Sequence, residues 1–266
     1  MPPGRHSRGR NPGRSRHFAA RLRDAPTAPH SSVSGQPARC TAVLVFAKSA
    51  RADLCARFGG LPAHVRQRLG SGLERQLREE VRASGLPAVF STEREQRGGT
   101  YGERLTNACA DALALGFERL IVVGGDCPGL RARHLRAAAT ELSAGRAVVG
   151  RDLRGGVYLF GFDAACVGVA ALRGLPYCSA VLAKTLTGVL SGGSATVTEL
   201  ERLGDIHEVT DLRREWRRFC AVGLRRMLRG ALGAFAKTRP DAAVAAPISR
   251  ADRRPWALRG PPALAA

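Results

Sequence analysis

Aromatic side chains make up only 5% of this 266-residue chain, and lysine occurs at just three positions, Lys48, Lys184 and Lys237. With so few large rings, Ala, Val and Leu must fill most of whatever core forms. The basic residues are almost all arginine, a chain-wide bias, so no single arginine is by itself the mark of a contact. None of the seven cysteines (Cys40, Cys55, Cys109, Cys127, Cys166, Cys178 and Cys220) forms a Cys-x-x-Cys pair. An odd, scattered set argues against a disulfide framework and reads as the reduced thiols of a cytoplasmic protein. No apolar run approaches the roughly 20 residues that a membrane-spanning helix needs. There is no glycine-rich phosphate loop, no covalent-nucleophile motif, and no interleaving of aromatic and basic residues of the kind that grips nucleic acid.

What charge there is lies at the ends. Of the formal +20, residues 1–40 carry +7 and residues 212–266 carry +10, leaving +3 for residues 41–211. The ends can therefore contact anionic surfaces, while the centre has no strong electrostatic preference. Residues 1–39, rich in Arg, Pro, Ser and Gly, are expected to be a disordered basic tail. Residues 216–236 are expected to form a basic amphipathic helix, with Trp216, Phe219, Leu224, Met227, Ala231 and Phe235 sharing a face, and residues 237–266 a loose tail. Between them, residues 40–215 form the expected folded domain.

Within that domain strands and helices alternate. TAVLVFA from Thr41, PAVFST from Pro87, RLIVVGG from Arg119, AVVG from Ala147 and GVYLFGF from Gly156 are short apolar runs of strand length. Helical spacing appears over Leu61–Ser84 (Val65, Leu69, Leu73, Leu77, Val81), from Thr100 (Leu105, Ala108, Ala112, Leu115), over Arg131–Ala144 and Ser179–Leu190, and from Asp211. Gly70 and Gly72 weaken the first of these. Thr100 and Glu103 have the spacing of a capping box. The continuously apolar run at Arg119 implies a strand covered on both faces, hence a mostly parallel sheet between helical layers.

Four segments can carry chemistry. In IVVGGDCPGL (residues 121–130) a buried strand runs into Gly124, Gly125 and Asp126, at the sheet edge where ligands of open α/β folds bind. A carboxylate there can hold a divalent metal, and equally can cap the turn that follows. In GRDLRGGVYLFGF, Asp152 and Arg154 share a strand face ahead of Gly155 and Gly156, which permit a ligand's close approach or a tight bend. In GDIHEVTDL, Asp205, His207 and Asp211 precede a helix, and His207 can ligate a metal or serve as an ordinary structural side chain. After the first strand, Lys48, Arg51 and Arg57 can meet phosphates or simply face solvent.

Taken together, VLVFAKS, TYGERLTNACADAL, GFERLIVVGGDCPGL, GGVYLFGF, LPYCSAVLAKTL and GDIHEVTDL resemble, in order, a bacterial family of GT-A-like transferases. Its members are associated with arsenosugar biosynthesis or with radical-SAM/selenodomain proteins. They are distantly similar to the molybdenum-cofactor and phospholactate nucleotidyltransferases. The resemblance implies a GT-A, nucleotide-diphospho-sugar transferase-like three-layer sandwich. It implies a nucleotide-sugar or NTP donor, a small-molecule acceptor, and Mg²⁺ or Mn²⁺. It matches Asp126 to the Asp of the family's Gly-Asp-x-Pro block as metal ligand, Glu103 and Arg104 to the nucleotide side and Lys48 to the lysine of the first loop; with the residues read above, the expected set is Asp126 and His207 for the metal, Asp126, Asp152 and Arg154 for catalysis, and Lys48, Arg51, Glu103, Arg104, Gly124, Gly125, Gly155 and Gly156 for the nucleotide. Four features depart from the family pattern: Arg154 stands where the Asp of an Asp-Gly-Gly block is usual, His207 replaces the second Asp of a closing Asp-Ile-Asp, the first loop reads ARADLCARF in place of a Pro-x-x-Gly-x-x-Lys-Thr-Arg continuation, and Tyr177 stands where a Trp is common. The resemblance thus points to a glycosyltransferase with a partly altered site. Nucleotidyl transfer, or nucleotide binding without turnover, is the alternative.

Overall fold

A computed structural model describes residues 40–53, 58, 61–192 and 196–215. The tail, the amphipathic helix and the loose end expected at 1–39, 216–236 and 237–266 lie outside the described residues.

Six strands form one sheet: β1 (Thr41–Phe46), β2 (Ala88–Ser91), β3 (Arg119–Val123), β4 (Ala147–Arg151), β5 (Val157–Asp163) and β6 (Val197–Glu199). Their order across the sheet is β2-β1-β3-β5-β4-β6. Pairing is parallel for β2–β1, β1–β3 and β4–β6, and antiparallel where β5 sits between β3 and β4. Five strands therefore point one way. The exception has a local cause: β4 and β5 are joined by only residues 152–156, too short for the crossover that parallel neighbours require.

The helices are α1 (Ala50–Asp53), α2 (Ala63–Ser84), α3 (Tyr101–Leu113), α4 (Ala132–Ser143), α5 (Leu182–Ser191) and α6 (Val209–Glu215). Val43, Val45, Ile121, Val123, Val148 and Leu159 on one sheet face join Val81 of α2 and Leu135 and Leu142 of α4 in one apolar core. On the other face Phe46, at the end of β1, meets Tyr101 of α3 edge to face at 5.4 Å, and α5 packs against β4, β5 and β6. This is the expected three-layer arrangement. Among the described residues no helix is long and apolar enough to cross a membrane.

The two glycines in α2 do not interrupt it. Gly70 packs against Ala50 of α1, where a Cβ would reach ordinary contact at 3.4 Å. Gln76 takes a buried place in the stripe and donates from Nε2 to the Pro128 carbonyl at 2.7 Å. The strand β6 and the turn α1 were not legible as periodic runs, being only 3 and 4 residues long.

The capping box at α3 is complete. The Glu103 N–H donates to Thr100 Oγ1 (3.1 Å), and the Glu103 carboxylate accepts from the N–H groups of Gly99 (2.8 Å) and Thr100 (3.1 Å). Thr100→Ala is expected to lower the unfolding free energy by about 1 kcal/mol in a denaturant titration; an unchanged midpoint and slope would mean the cap does not hold α3.

Candidate functional site at the carboxyl edge of the sheet

Because β1, β2, β3, β4 and β6 run in parallel sense, the segments that follow them share one edge. These are residues 47–49, 92–95, 124–128, 152–156 and 200–207. The chain steps from β1 outward to β2 on one side, and β3 lies on the other. The gap between the ends of β1 and β3 is thus the switch point at which α/β sheets bind ligands.

Asp126 stands at that gap. Gly124 lets the loop turn back on itself, since a Cβ there would lie 2.9 Å from Asp126 Oδ1, and Gly125 packs against Ala47 of the β1 loop, 3.0 Å from its Cβ. The start of α4 is served by other groups. His134 Nδ1 accepts the Arg131 N–H (3.0 Å) and Glu80 accepts the Ala132 N–H (2.8 Å). Asp126 is therefore not needed as the cap of that helix.

Asp152 leaves β4 and is buried. Its Oδ1 accepts the N–H groups of Arg154 (2.6 Å) and Gly156 (2.8 Å). Here lies the reason for the double glycine. A Cβ on Gly156 would fall 2.2 Å from Asp152 Oδ2, and Gly155, with φ of +91°, sits under the Ala180 carbonyl. Both glycines are thus accounted for by the protein's own groups.

The closing loop brings in two more residues. The Ile206 N–H donates to the Asp126 carbonyl at 2.9 Å, tying this loop to the β3 loop. His207 Nε2 lies 2.7 Å from Asp205 Oδ2 and 4.0 Å from Asp126 Oδ2. Burial and the adjacent Asp205 carboxylate push the Asp152 carboxyl above its ordinary range. Burial pushes Asp205 the same way, but the His207 imidazole and the Arg154 guanidinium outweigh it and hold Asp205 below that range. Asp205 Oδ1 is buried and receives no hydrogen bond. Among the described residues no three His, Cys, Asp or Glu side chains are arranged to hold a metal ion.

The remaining anticipated residues are more dispersed. Lys48 is exposed and lines a shallow, open groove with Ser49, Gly125, Glu74, Arg78 and Thr92. Arg51 lies in the turn α1. Around it the β1 loop is already provided with acids: the Ser49 N–H and Oγ donate to Glu93 (2.8 and 2.7 Å), and the Ala50 N–H to Glu74 (3.1 Å). Those donors would otherwise suit a phosphate, so an anion entering here meets carboxylates. Glu103 is spent on its cap, and Arg104 Nη1 donates to the Gly99 carbonyl at 3.3 Å; neither lines the groove. The Arg154 guanidinium pairs with Asp211, which is 1% exposed. Sequence reasoning passed over Glu74 and Arg78, whose i,i+4 spacing on α2 was the available signal. Arg78 also covers the Phe90 ring at 4.4 Å.

A family model described as an uncharacterized protein conserved in bacteria (DUF2064) matches residues 72–179, which span Asp126, Asp152 and both glycine pairs. Among solved structures, a "putative nucleotide-diphospho-sugar transferase" from Desulfovibrio desulfuricans G20 is similar over 74% of this chain and 97% of its own, at 18% identity and a TM-score of 0.63. Rv0371c from Mycobacterium tuberculosis H37Rv is similar over 68% of this chain and 98% of its own, with 21% identity and a TM-score of 0.37. Its complex with manganese covers 66% and 97%, with 20% identity and the same TM-score of 0.37. No curated protein matches the chain. The first structural likeness establishes the fold: this is a nucleotide-diphospho-sugar transferase-like sandwich.

His134 supplies a test of how the β3 loop is anchored. Its burial, with Arg133 adding to the effect and Glu201 opposing it, lowers its pKa from the ordinary 6.5. The neutral ring is the form that accepts the Arg131 N–H. The unfolded chain therefore takes up this proton first as pH falls, so stability is full above about pH 6.5 and declines below it. His134→Gln keeps an acceptor at the same helix position and removes the titration. Melting measured between pH 7.5 and 5 should then be less pH-dependent in the variant; equal slopes would show that His134 does not titrate in this way.

Proposed function

We propose that the protein is a transferase acting on a nucleotide-activated donor, a glycosyl donor in the first instance, with a divalent cation held at the carboxyl edge of β3 and β4. The observation that carries this reading is the imbalance of charge there. Asp126, Asp152, Asp205 and Asp211 gather around the switch point, answered by Arg154, Arg214 and the His207 imidazole. One buried oxygen, Asp205 Oδ1, has no N–H donor, and the raised Asp152 carboxyl faces Asp205. Isolated buried charge is costly unless a counter-charge reaches it.

Of the groups within reach, the carboxylate oxygens of Asp126 and Asp205 would suit Mg²⁺ or Mn²⁺, and the softer His207 nitrogen would favour Mn²⁺ over Mg²⁺. Such an ion, when bound, neutralises the diphosphate that leaves with the nucleotide. The protein's own part is to orient. Asp152 holds the 152–156 loop through two backbone N–H groups, and Ile206 ties the closing loop to Asp126. The groove between β1 and α2 would take the nucleoside, with Lys48 at its edge; Glu74 and Glu93 line that side, so the phosphates would lie toward Asp126. Nucleotidyl transfer from an NTP would use the same constellation.

A second reading has its own support. His207 already meets Asp205 at 2.7 Å, so the site partly neutralises itself without a metal. The chain would then bind nucleotide without turning it over.

A thermal-shift screen separates them. UDP-, GDP- and ADP-sugars and NTPs are each added with Mn²⁺, Mg²⁺ or EDTA. A ligand at 100 times its Kd adds about 2.7 kcal/mol, a shift of several degrees for a domain of this size. The transferase reading expects a shift that needs metal and disappears in Asp126→Ala. A shift that survives EDTA favours the metal-free binder, and no shift with any nucleotide removes both.

A further inference from the structure

Arg154 makes contacts on both sides of the candidate site. Its backbone N–H donates to Asp152 Oδ1 at 2.6 Å, within the loop that joins β4 to β5. Its guanidinium pairs with Asp211 on α6. The Asp211 carboxylate is in turn the anchor of the closing loop. Its Oδ2 accepts the N–H groups of His207 and Glu208, each at 3.0 Å, while Oδ1 is shared with Arg214 Nη2 at 3.1 Å. Asp211 is almost fully buried, so its charge must be answered from within the protein. Arg154 is the answering group that belongs to the opposite loop; Arg214 belongs to the same helix as Asp211 and cannot tie the two loops together.

From this we propose that Arg154 is a positioning residue: it latches the Gly204–Glu208 loop, through Asp211, so that Asp205 and His207 are presented to Asp126 and Asp152. The proposal rests on the reading that these groups hold a divalent cation, and it assigns Arg154 a different task from an anchor for the donor's phosphates. The two tasks predict opposite signs. A guanidinium near a cation site repels the cation, so its removal by simple electrostatics tightens metal binding. Removal of a latch loosens the ligands and weakens it. Groups that orient ligands from behind typically change metal affinity by roughly tenfold to a hundredfold.

The test uses the full chain, with Mn²⁺ alone as probe, followed by the electron-paramagnetic resonance of the free ion. Amide hydrogen exchange is measured at His207 and Glu208 in parallel. Arg154→Met is expected to speed exchange at those two amides by about tenfold, the scale of one weakened charge-assisted hydrogen bond. It is also expected to weaken Mn²⁺ binding by roughly tenfold or more. Arg154→Lys, which can still pair with Asp211, should recover part of both effects; it also serves if the Met variant does not fold. Arg214→Met should disturb both less than Arg154→Met does. Unchanged exchange at His207 and Glu208 overturns the latch, and so does Mn²⁺ affinity that is unchanged or raised in Arg154→Met. If the unaltered protein binds no Mn²⁺, the cation reading falls by itself, and the exchange rates still decide whether Arg154 holds the loop.

Discussion

Buried negative charge is the constraint around which the carboxyl edge is built. Asp152, Asp205 and Asp211 are each buried, and Asp126 stands beside them. Carboxylates packed this closely repel one another and lose their hydration, so each must be met by donors. The loops are shaped by that need. Asp152 bends the 152–156 segment around its own Oδ1, and Asp211 gathers two N–H groups and two arginines. The glycine at position 156 is there because the Asp152 carboxylate fills the space a side chain would need.

The sheet explains why these acids meet although they are spread from residue 126 to residue 211. The shared direction of β3, β4 and β6 puts their carboxyl ends at one edge, with the amino end of β5 between β3 and β4, so residues remote in sequence arrive there together. The hairpin between β4 and β5 contributes a turn there rather than a crossover, and that turn carries both Asp152 and Arg154. β6 then pairs with β4, and Leu203 bridges Asp152, leading the closing loop back over the site.

Much of this was legible in the sequence. Apolar runs located β1 to β5, Thr100 and Glu103 announced the cap of α3, and the Gly-Gly-Asp after the strongest strand marked the carboxyl edge of the sheet. What the sequence could not show is which groups spend their capacity on one another. Arg154 reads as an available cation, because nothing local reveals that Asp211, 57 residues away, claims it. The Gly155–Gly156 pair reads as room for a ligand, whereas that room is taken by Ala180 and Asp152. Likewise the β1 loop reads as a place for phosphate until Glu74 and Glu93 arrive from other elements to meet its N–H groups. In each case the missing information is long-range pairing, which periodicity and spacing do not encode.

That distinction bears on what Arg154 does to so acidic an edge. An arginine there adds a positive charge beside carboxylates that, on the proposed reading, face a cation. Left unpaired, it would disfavour the ion. Paired with a buried Asp211, it contributes almost no net charge, and its cost to a nearby cation is largely cancelled. Asp152 keeps its two backbone donors, and Asp205 keeps the His207 imidazole at 2.7 Å, which also stands 4.0 Å from Asp126. Arg154 therefore spends its charge on Asp211 and leaves those contacts as they are, so that on the proposed reading an incoming cation would compete with His207 for Asp205.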